Sequence, residues 1–490
     1  MKTLNKILAS FLLCGVLIFT ACEDRSDLTA PGKPNSGSAD FTTMVSIGNS
    51  LTAAFANNAL YESSQEYGYT NLIAKQVGAN FVQPLITDPG IAGRLEISQV
   101  ILGSSGIENV VIAPNANIGS PINSTYAAPY NNLGIPGAIL YDLVDETDFA
   151  AKSLARKNPF FQVVLRDTVF GKSVVKQALK LNPTFVTLWI GNNDVLGYAT
   201  SGGTRGTDLT GTKPTDGATF AFLYNQVATA LNDPTGKRKV VTATIPNVTA
   251  IPFFTTVGPK VGYAISQAQA ANPAILGLFY QKTGETIASG LATTSDLLTN
   301  KVLLTLTGSS YASLIGQATD KFYTDNGIPI PAGIDVTKPF GLHPQNPWPN
   351  ALILDLDEQA NVSAAVSSFN STIQSVATAN GWGVVDINKI FQAIKDKEAT
   401  TGPTYYDGVP FSTTFLSGNL FSLDGVHPTS QGYAVVANEF IKVINTKFGG
   451  KLPLINVSTI PGSIKLSKEK FNKKYNIKIS PNALSTVSYF

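Results

Sequence analysis

The sequence predicts an α/β protein built on a parallel sheet. Short β-branched runs read as buried strands, segments with apolar residues at helical spacing lie between them, and the two kinds alternate along the chain. Strands separated by helices imply βαβ units and a sheet covered on both faces. "FTTMVSIG" (Phe41 to Gly48) is the first strand. A helix follows, with Tyr69, Leu72, Ile73 and Val77 on one face and Gly78 as its stop. "TFVTLWI" (Thr184 to Ile190) is the second clear strand, and Phe220, Leu223, Tyr224, Val227 and Leu231 mark the helix after it. "KVVTATI" (Lys239 to Ile245) is the next strand. A helix with Val362, Val366, Phe369, Ile373 and Val376 on one face leads to "WGVVDI" (Trp382 to Ile387). The last helix begins near Gln431 and carries Tyr433, Val436, Phe440, Ile441 and Ile444.

Two stretches break this alternation. Residues 79–130 are rich in Gly, Pro and Asn, with one expected strand at "VVIA". Residues 250–350 form a large insertion with helix-like pieces, the aromatic "IPFFTTV" and the Pro-rich "HPQNPWP". Phe253, Phe254 and Trp348 there suit the apolar wall of a pocket and suit ordinary core packing equally.

The chain opens on Lys2 and Lys6, followed by an apolar run from Ile7 to Phe19. That run is too short to span a bilayer and reads as a secretory signal over 1–21. It ends in "FTAC", which resembles a bacterial lipoprotein signal in which Cys22 takes the lipid; an ordinary signal peptide is the alternative. Removing Lys2 and Lys6 with the leader leaves 33 basic against 33 acidic side chains, which gives no sign of nucleic-acid binding. Cys14 departs with the leader and Cys22 is occupied, so the mature protein lacks a disulfide and relies on its core. About 470 residues suffice for one elaborated domain with insertions. Residues 22–40 are polar and rich in Pro, Gly and Ser, as expected of a flexible tether. The expected location is the cell envelope, with the membrane as partner through the lipid anchor. The folded core is placed at 41–448. The extension at 449–490, with seven lysines in the last forty residues, reads as a solvated tail.

Open parallel sheets bind ligands at the carboxyl ends of their strands. Ser50 sits there, just past the first strand in "VSIGNSLTAAF". Serine at a helix entry is also a favoured cap, so the position alone does not decide its role. A serine nucleophile needs a base, and the chain has two histidines. His343 lies in the insertion with no suggestive acid near it. His427 lies in "SLDGVHPTSQGY", three residues after Asp424, close enough for the carboxylate to fold back onto the ring. "WIGNNDVLGY" supplies Asn193 as a side-chain donor for a developing oxyanion, although Asn, Asp and Gly also favour plain turns. "NNLGIPGA" offers the backbone N–H of Gly137.

Taken in order, "GNSL", "NLGIPG", "GNND" and "DGVH" resemble the four sequence blocks of the SGNH (GDSL-type) hydrolases. The first, third and fourth match closely and the second loosely, over about residues 41–448 apart from the insertion. The resemblance implies a three-layer α/β/α, flavodoxin-like fold with a five-stranded parallel sheet and no metal or organic cofactor. It implies Ser50 as nucleophile, His427 as base and then acid, and Asp424 as the residue that orients His427. The oxyanion hole it implies comprises the N–H groups of Ser50 and Gly137 with the Asn193 side chain. One departure is Asn49, where the family usually has aspartate; none of these roles needs that charge. No Gly-x-Ser-x-Gly occurs, which argues against an α/β-hydrolase elbow. "GKS" at Gly171 to Ser173 has Arg166 where a P-loop needs glycine, and a zinc site is not expected from two scattered histidines. The acids Asp355, Asp357 and Glu358 suit a helix start.

The expected activity is that of a lipase/acylhydrolase-like serine ester hydrolase on lipid or acyl esters, lipid esters first, through an acyl-enzyme. A polysaccharide O-acetyl esterase is the second reading, and a non-catalytic lipid- or glycan-binding surface lipoprotein the third. The oligomeric state is left open.

Overall fold

The structure, a computed structural model, describes residues 35–103, 106–207, 211–285, 287–462, 471–479 and 484. The expected signal peptide, Cys22 and most of the expected 22–40 tether lie outside the described residues. Five parallel strands form the central sheet: β1 (Met44–Gly48), β2 (Asn132–Gly134), β3 (Phe185–Trp189), β4 (Lys239–Ala243) and β5 (Gly383–Val385). Their order is β5-β4-β3-β1-β2. This is the doubly wound, flavodoxin-like arrangement, and the fold expected from the sequence is the one observed. The chain reverses its winding direction at β1, so the crevice between the carboxyl ends of β1 and β3 is the switch point where such sheets place ligands. Every residue of β1 and β3 is buried, as central strands covered on both faces require.

The helices fall where their apolar faces predict. On one face, α2 (Tyr69–Val77) packs beside the last long helix, α7 (Ser430–Phe448), with the rings of Tyr69 and Phe440 stacked at 4.8 Å. On the other, α4 (Gly217–Leu231) meets α5 (Leu356–Ala379) through Phe220 and Phe369, stacked at 4.0 Å. Asp355 caps α5, its carboxylate accepting the N–H groups of Asp357 and Glu358, while Glu358 bonds back to the N–H of Asp355. That capping box accounts for the acidic cluster.

Two expectations change. The 449–490 extension is not a purely solvated tail: Leu452, Val457 and Ile460 are buried against the body. Its strand Phe471–Ile479 pairs in parallel with Gly106–Pro114. Gly106–Pro114 includes the expected "VVIA", and its antiparallel partner Leu95–Gly103 went unread. The last residues of the expected tether are also held, since the N–H of Ser38 donates to the carbonyl of Phe448 and Ala39 is buried. The insertion has no core of its own. Phe253, Phe254, Val261, Leu304 and Trp348 belong to the same apolar cluster as the central sheet.

Candidate active site

The turn after β1 is dictated by crowding. A Cβ on Gly48 would lie 2.2 Å from the Thr52 hydroxyl and 2.3 Å from the Trp189 carbonyl, so only glycine lets β1 run this close to β3. A short helix, α1 (Ser50–Ala53), starts at once. Its cap is Asn49 rather than Ser50: Asn49 Oδ1 accepts the N–H of Leu51 at 3.1 Å. The Ser50 hydroxyl is thereby left for another partner.

That partner is His427. Its Nε2 is 2.9 Å from Ser50 Oγ, and its Nδ1 is 3.0 Å from Asp424 Oδ2. An ionised carboxylate only accepts, so Nδ1 carries the proton and Nε2 is the free base facing the serine hydroxyl. All three side chains are at most 3% exposed, which removes competing water from the relay.

Asp424 is held from every side. Oδ1 accepts from the N–H groups of Val426 and His427, both at 2.9 Å, and from the Ser422 hydroxyl at 3.1 Å. Oδ2 also accepts the N–H of Asn58 at 2.8 Å. Burial pushes the Asp424 carboxyl up, but the attraction of the His427 ring when it is protonated, together with these hydrogen bonds, outweighs it and holds the group below its ordinary value. The loop carrying Asp424 is tied to the segment after α1. Asn57 Oδ1 accepts the N–H of Leu423 at 2.9 Å, and the Asn57 N–H donates to Ser422 Oγ at 2.9 Å. Asn57 and Asn58 both adopt left-handed backbone, which asparagine tolerates. Sequence reasoning missed Asn57, Asn58 and Ser422; the Asn–Asn doublet just after a short helix was the one signal for them. From behind, the N–H of Phe253 donates to the carbonyl of Gly425 at 3.0 Å. The His427 ring lies 4.9 Å from that of Phe55, whose carbonyl accepts the Tyr433 hydroxyl at 2.7 Å.

The loop after β3 brings up the third element. Gly191 has a positive φ, and a Cβ there would meet Ile245 and Phe220 within 2.9 Å. Asn192 and Asn193 follow at the start of α3 (Asn193–Thr200). Asn193 Nδ2 donates to the carbonyl of Ala138 at 2.9 Å, which leaves one of its two amide hydrogens unused. The loop before Ala138 is fixed as well. The Ile135 N–H donates to the Gly48 carbonyl at 3.0 Å, and Arg156 donates to the carbonyl of Gly137. Gly137 takes a positive φ of 79° beside the Asn193 contact. Asp194, next in sequence, is fully buried; burial raises its carboxyl from 3.8 to about 7, against the opposing N–H of Leu140 at 2.8 Å.

Ser50, Asn192, Asn193 and His427 border one narrow cavity of about 100 Å³. Its remaining wall is largely apolar, from α6 (Ile387–Thr400) through Ile390, Phe391 and Ile394, and from α7 through Val435 and Val436. Phe253, Phe254 and Trp348 do not line it; each is a core residue with no measurable exposure. His343 stays apart, its Nδ1 accepting the N–H of Gln345 at 3.1 Å. Among the described residues, no group of three or more His, Cys, Asp or Glu side chains is placed to hold a metal ion. None of the described helices is long and apolar enough to cross a membrane.

No protein-family model matches the chain, and no curated protein does. Among solved structures, it is similar to a lipase/acylhydrolase from Enterococcus faecalis, at 12% identity and a TM-score of 0.30, over 84% of this chain and 98% of the other.

Proposed function

We propose that this protein is a serine ester hydrolase of the SGNH (GDSL) type, acting on esters with a short acyl group. The observation that carries the reading is the unbroken relay Ser50–His427–Asp424, at 2.9 and 3.0 Å, opening onto an apolar slot at the switch point of the sheet. His427 Nε2 takes the Ser50 proton as Oγ attacks the ester carbonyl. The charge that develops on the carbonyl oxygen is met by the N–H groups of Ser50 and Gly137 and by the free amide hydrogen of Asn193. Collapse expels the alcohol, which takes its proton from His427. Water, deprotonated by the same nitrogen, then releases the acid and restores Ser50.

The slot takes the acyl group. That group bonds to Ser50 in the first half-reaction and stays there until water releases it in the second, so it suits a space beside the serine, whereas the alcohol leaves after the first step. A cavity of about 100 Å³ is of the same order as one of ~150 Å³ that holds benzene, so a few acyl carbons fill it. The small volume also favours a second reading, removal of acetyl groups from a polysaccharide. Cys22 as lipid anchor at the cell envelope completes the proposal, with the membrane as partner and no cofactor.

The test is hydrolysis of p-nitrophenyl esters from acetate to palmitate by protein lacking residues 1–22, with Ser50→Ala and His427→Ala alongside. The expected result is activity with a short-chain optimum, lost in both variants. A folded protein that hydrolyses none of them and whose Ser50 resists a fluorophosphonate is a binding protein instead.

A further inference from the structure

The slot beside Ser50 has few polar points. Ser50, His427 and Asn193 have roles in the proposed reaction, and Glu439 is paired with Lys442 at 2.7 Å. Asn192 has none, and its orientation follows from a chain of hydrogen bonds that starts at the backbone. The Leu51 N–H only donates, so the Asn49 atom 3.1 Å from it is the carbonyl oxygen. Asn49 Nδ2 is then aimed at Asn192, 3.2 Å away, and a donor there requires the oxygen of Asn192 in return. The NH2 group of Asn192 is the end left over. Among the described residues it has no hydrogen-bond partner, and Asn192 borders the slot.

We propose that Asn192 is a specificity-determining donor that selects acyl groups carrying an oxygen acceptor inside the slot over plain alkyl chains of equal length. Asn49 is the positioning residue that sets this polarity. The inference rests on the ester-hydrolase reading. An alkyl chain that fills the slot leaves the Asn192 N–H groups without a partner, whereas an oxygen in the chain supplies one. Aspartate at position 49 would reverse the arrangement: a carboxylate only accepts, so it would draw the NH2 of Asn192 towards itself and turn the amide oxygen into the slot.

The experiment compares ester pairs in which one CH2 is replaced by oxygen. These are p-nitrophenyl butyrate with methoxyacetate, and pentanoate with 3-methoxypropanoate, each rate divided by that of hydroxide alone. Loss of one neutral hydrogen bond lowers the ratio of kcat/KM for the oxygen-containing ester to that for its alkyl partner by about fivefold. That drop is expected in Asn192→Leu, Asn192→Asp and Asn49→Asp. A general loosening of the site would slow both members of a pair and leave the ratio alone. Ratios within about twofold of the wild type in Asn192→Leu and Asn192→Asp, with unchanged melting and fluorophosphonate labelling, overturn the inference, whether or not Asn49→Asp folds. Wild-type protein that cleaves none of the four esters and resists the label removes the hydrolase reading, and this inference with it.

Discussion

Asp424→Asn separates the role of the carboxylate from its bulk. The side chain accepts three hydrogen bonds on Oδ1 and two on Oδ2. An amide has one oxygen, and the three donors around Oδ1 claim it. The new NH2 group then faces the Asn58 N–H and His427 Nδ1, where it can only donate. His427 answers by moving its proton to Nε2, so Nδ1 accepts from the amide and Nε2 donates to Ser50. The base is then in the wrong tautomer, which in serine proteases costs about 10⁴ in kcat. That factor corresponds to about 5.5 kcal/mol of barrier. The Asn58 N–H meanwhile loses its acceptor, which destabilises the fold by about 1–3 kcal/mol. Steady-state hydrolysis of p-nitrophenyl butyrate and a thermal melt read the two effects separately. A folded Asp424→Asn protein within about tenfold of wild-type activity would refute the tautomer argument.

Three further outcomes follow from the same geometry. Burial has raised the Asp194 carboxyl to about 7 in the folded protein, so its contribution to stability is complete below pH ~4 and is lost as pH rises through about 7. The full shift is worth about 4 kcal/mol. Asp194→Asn, which stays neutral throughout, should flatten the fall in melting temperature between pH 5 and pH 8; parallel curves for variant and wild type would mean that Asp194 ionises normally. Val436→Phe narrows the slot from the α7 side and should lower kcat/KM for hexanoate about tenfold while acetate changes little; equal losses on both esters would place the acyl group elsewhere. Gly48→Ala forces a methyl group to within 2.3 Å of Thr52 and Trp189, so it should destabilise the protein by about 3 kcal/mol in urea unfolding and reduce fluorophosphonate labelling of Ser50; wild-type values for both would show that the turn has slack.

Four of the five central strands were legible because buried strands and helices with one apolar face each are signals that a window of ten residues contains; β2 (Asn132–Gly134), three residues long inside "NNLGIPGA", was read only as a loop. Ser50, Asp424, His427 and Asn193 were legible for a different reason: each stands at a strand end or a helix entry, in a short block whose residue types match a chemistry. What escaped was long-range. The Leu95–Gly103 strand lies in a stretch rich in Gly and Asn, and its partner strand pairs in turn with Phe471–Ile479, far along the chain. Nothing local to "ANNA" says that Asn57 and Asn58 will clasp a loop more than 360 residues away. The aromatics of the insertion were legible as apolar but not as to which surface they serve, since hydrophobicity has no direction.

The insertion meets the candidate site at the loop that carries Asp424 and His427. Its aromatics suit either a lid or a buttress, and burial decides between them. Phe253, Phe254 and Trp348 have no measurable exposure and share the core of the sheet, whereas a lid must be able to part from the body at small cost. Phe253 also donates its N–H to Gly425, the residue after Asp424, where a positive φ of 70° forms the turn that folds the carboxylate back onto His427. The same loop is gripped from the opposite direction by Asn57 and Asn58. A loop so fixed holds His427 and Asp424 in place before any ligand arrives, and that preorganisation is what the proposed proton relay between buried groups requires. In the proposed reaction the insertion therefore acts on the candidate site through the His427 loop, and the slot between α6 and α7 is left to choose the acyl group.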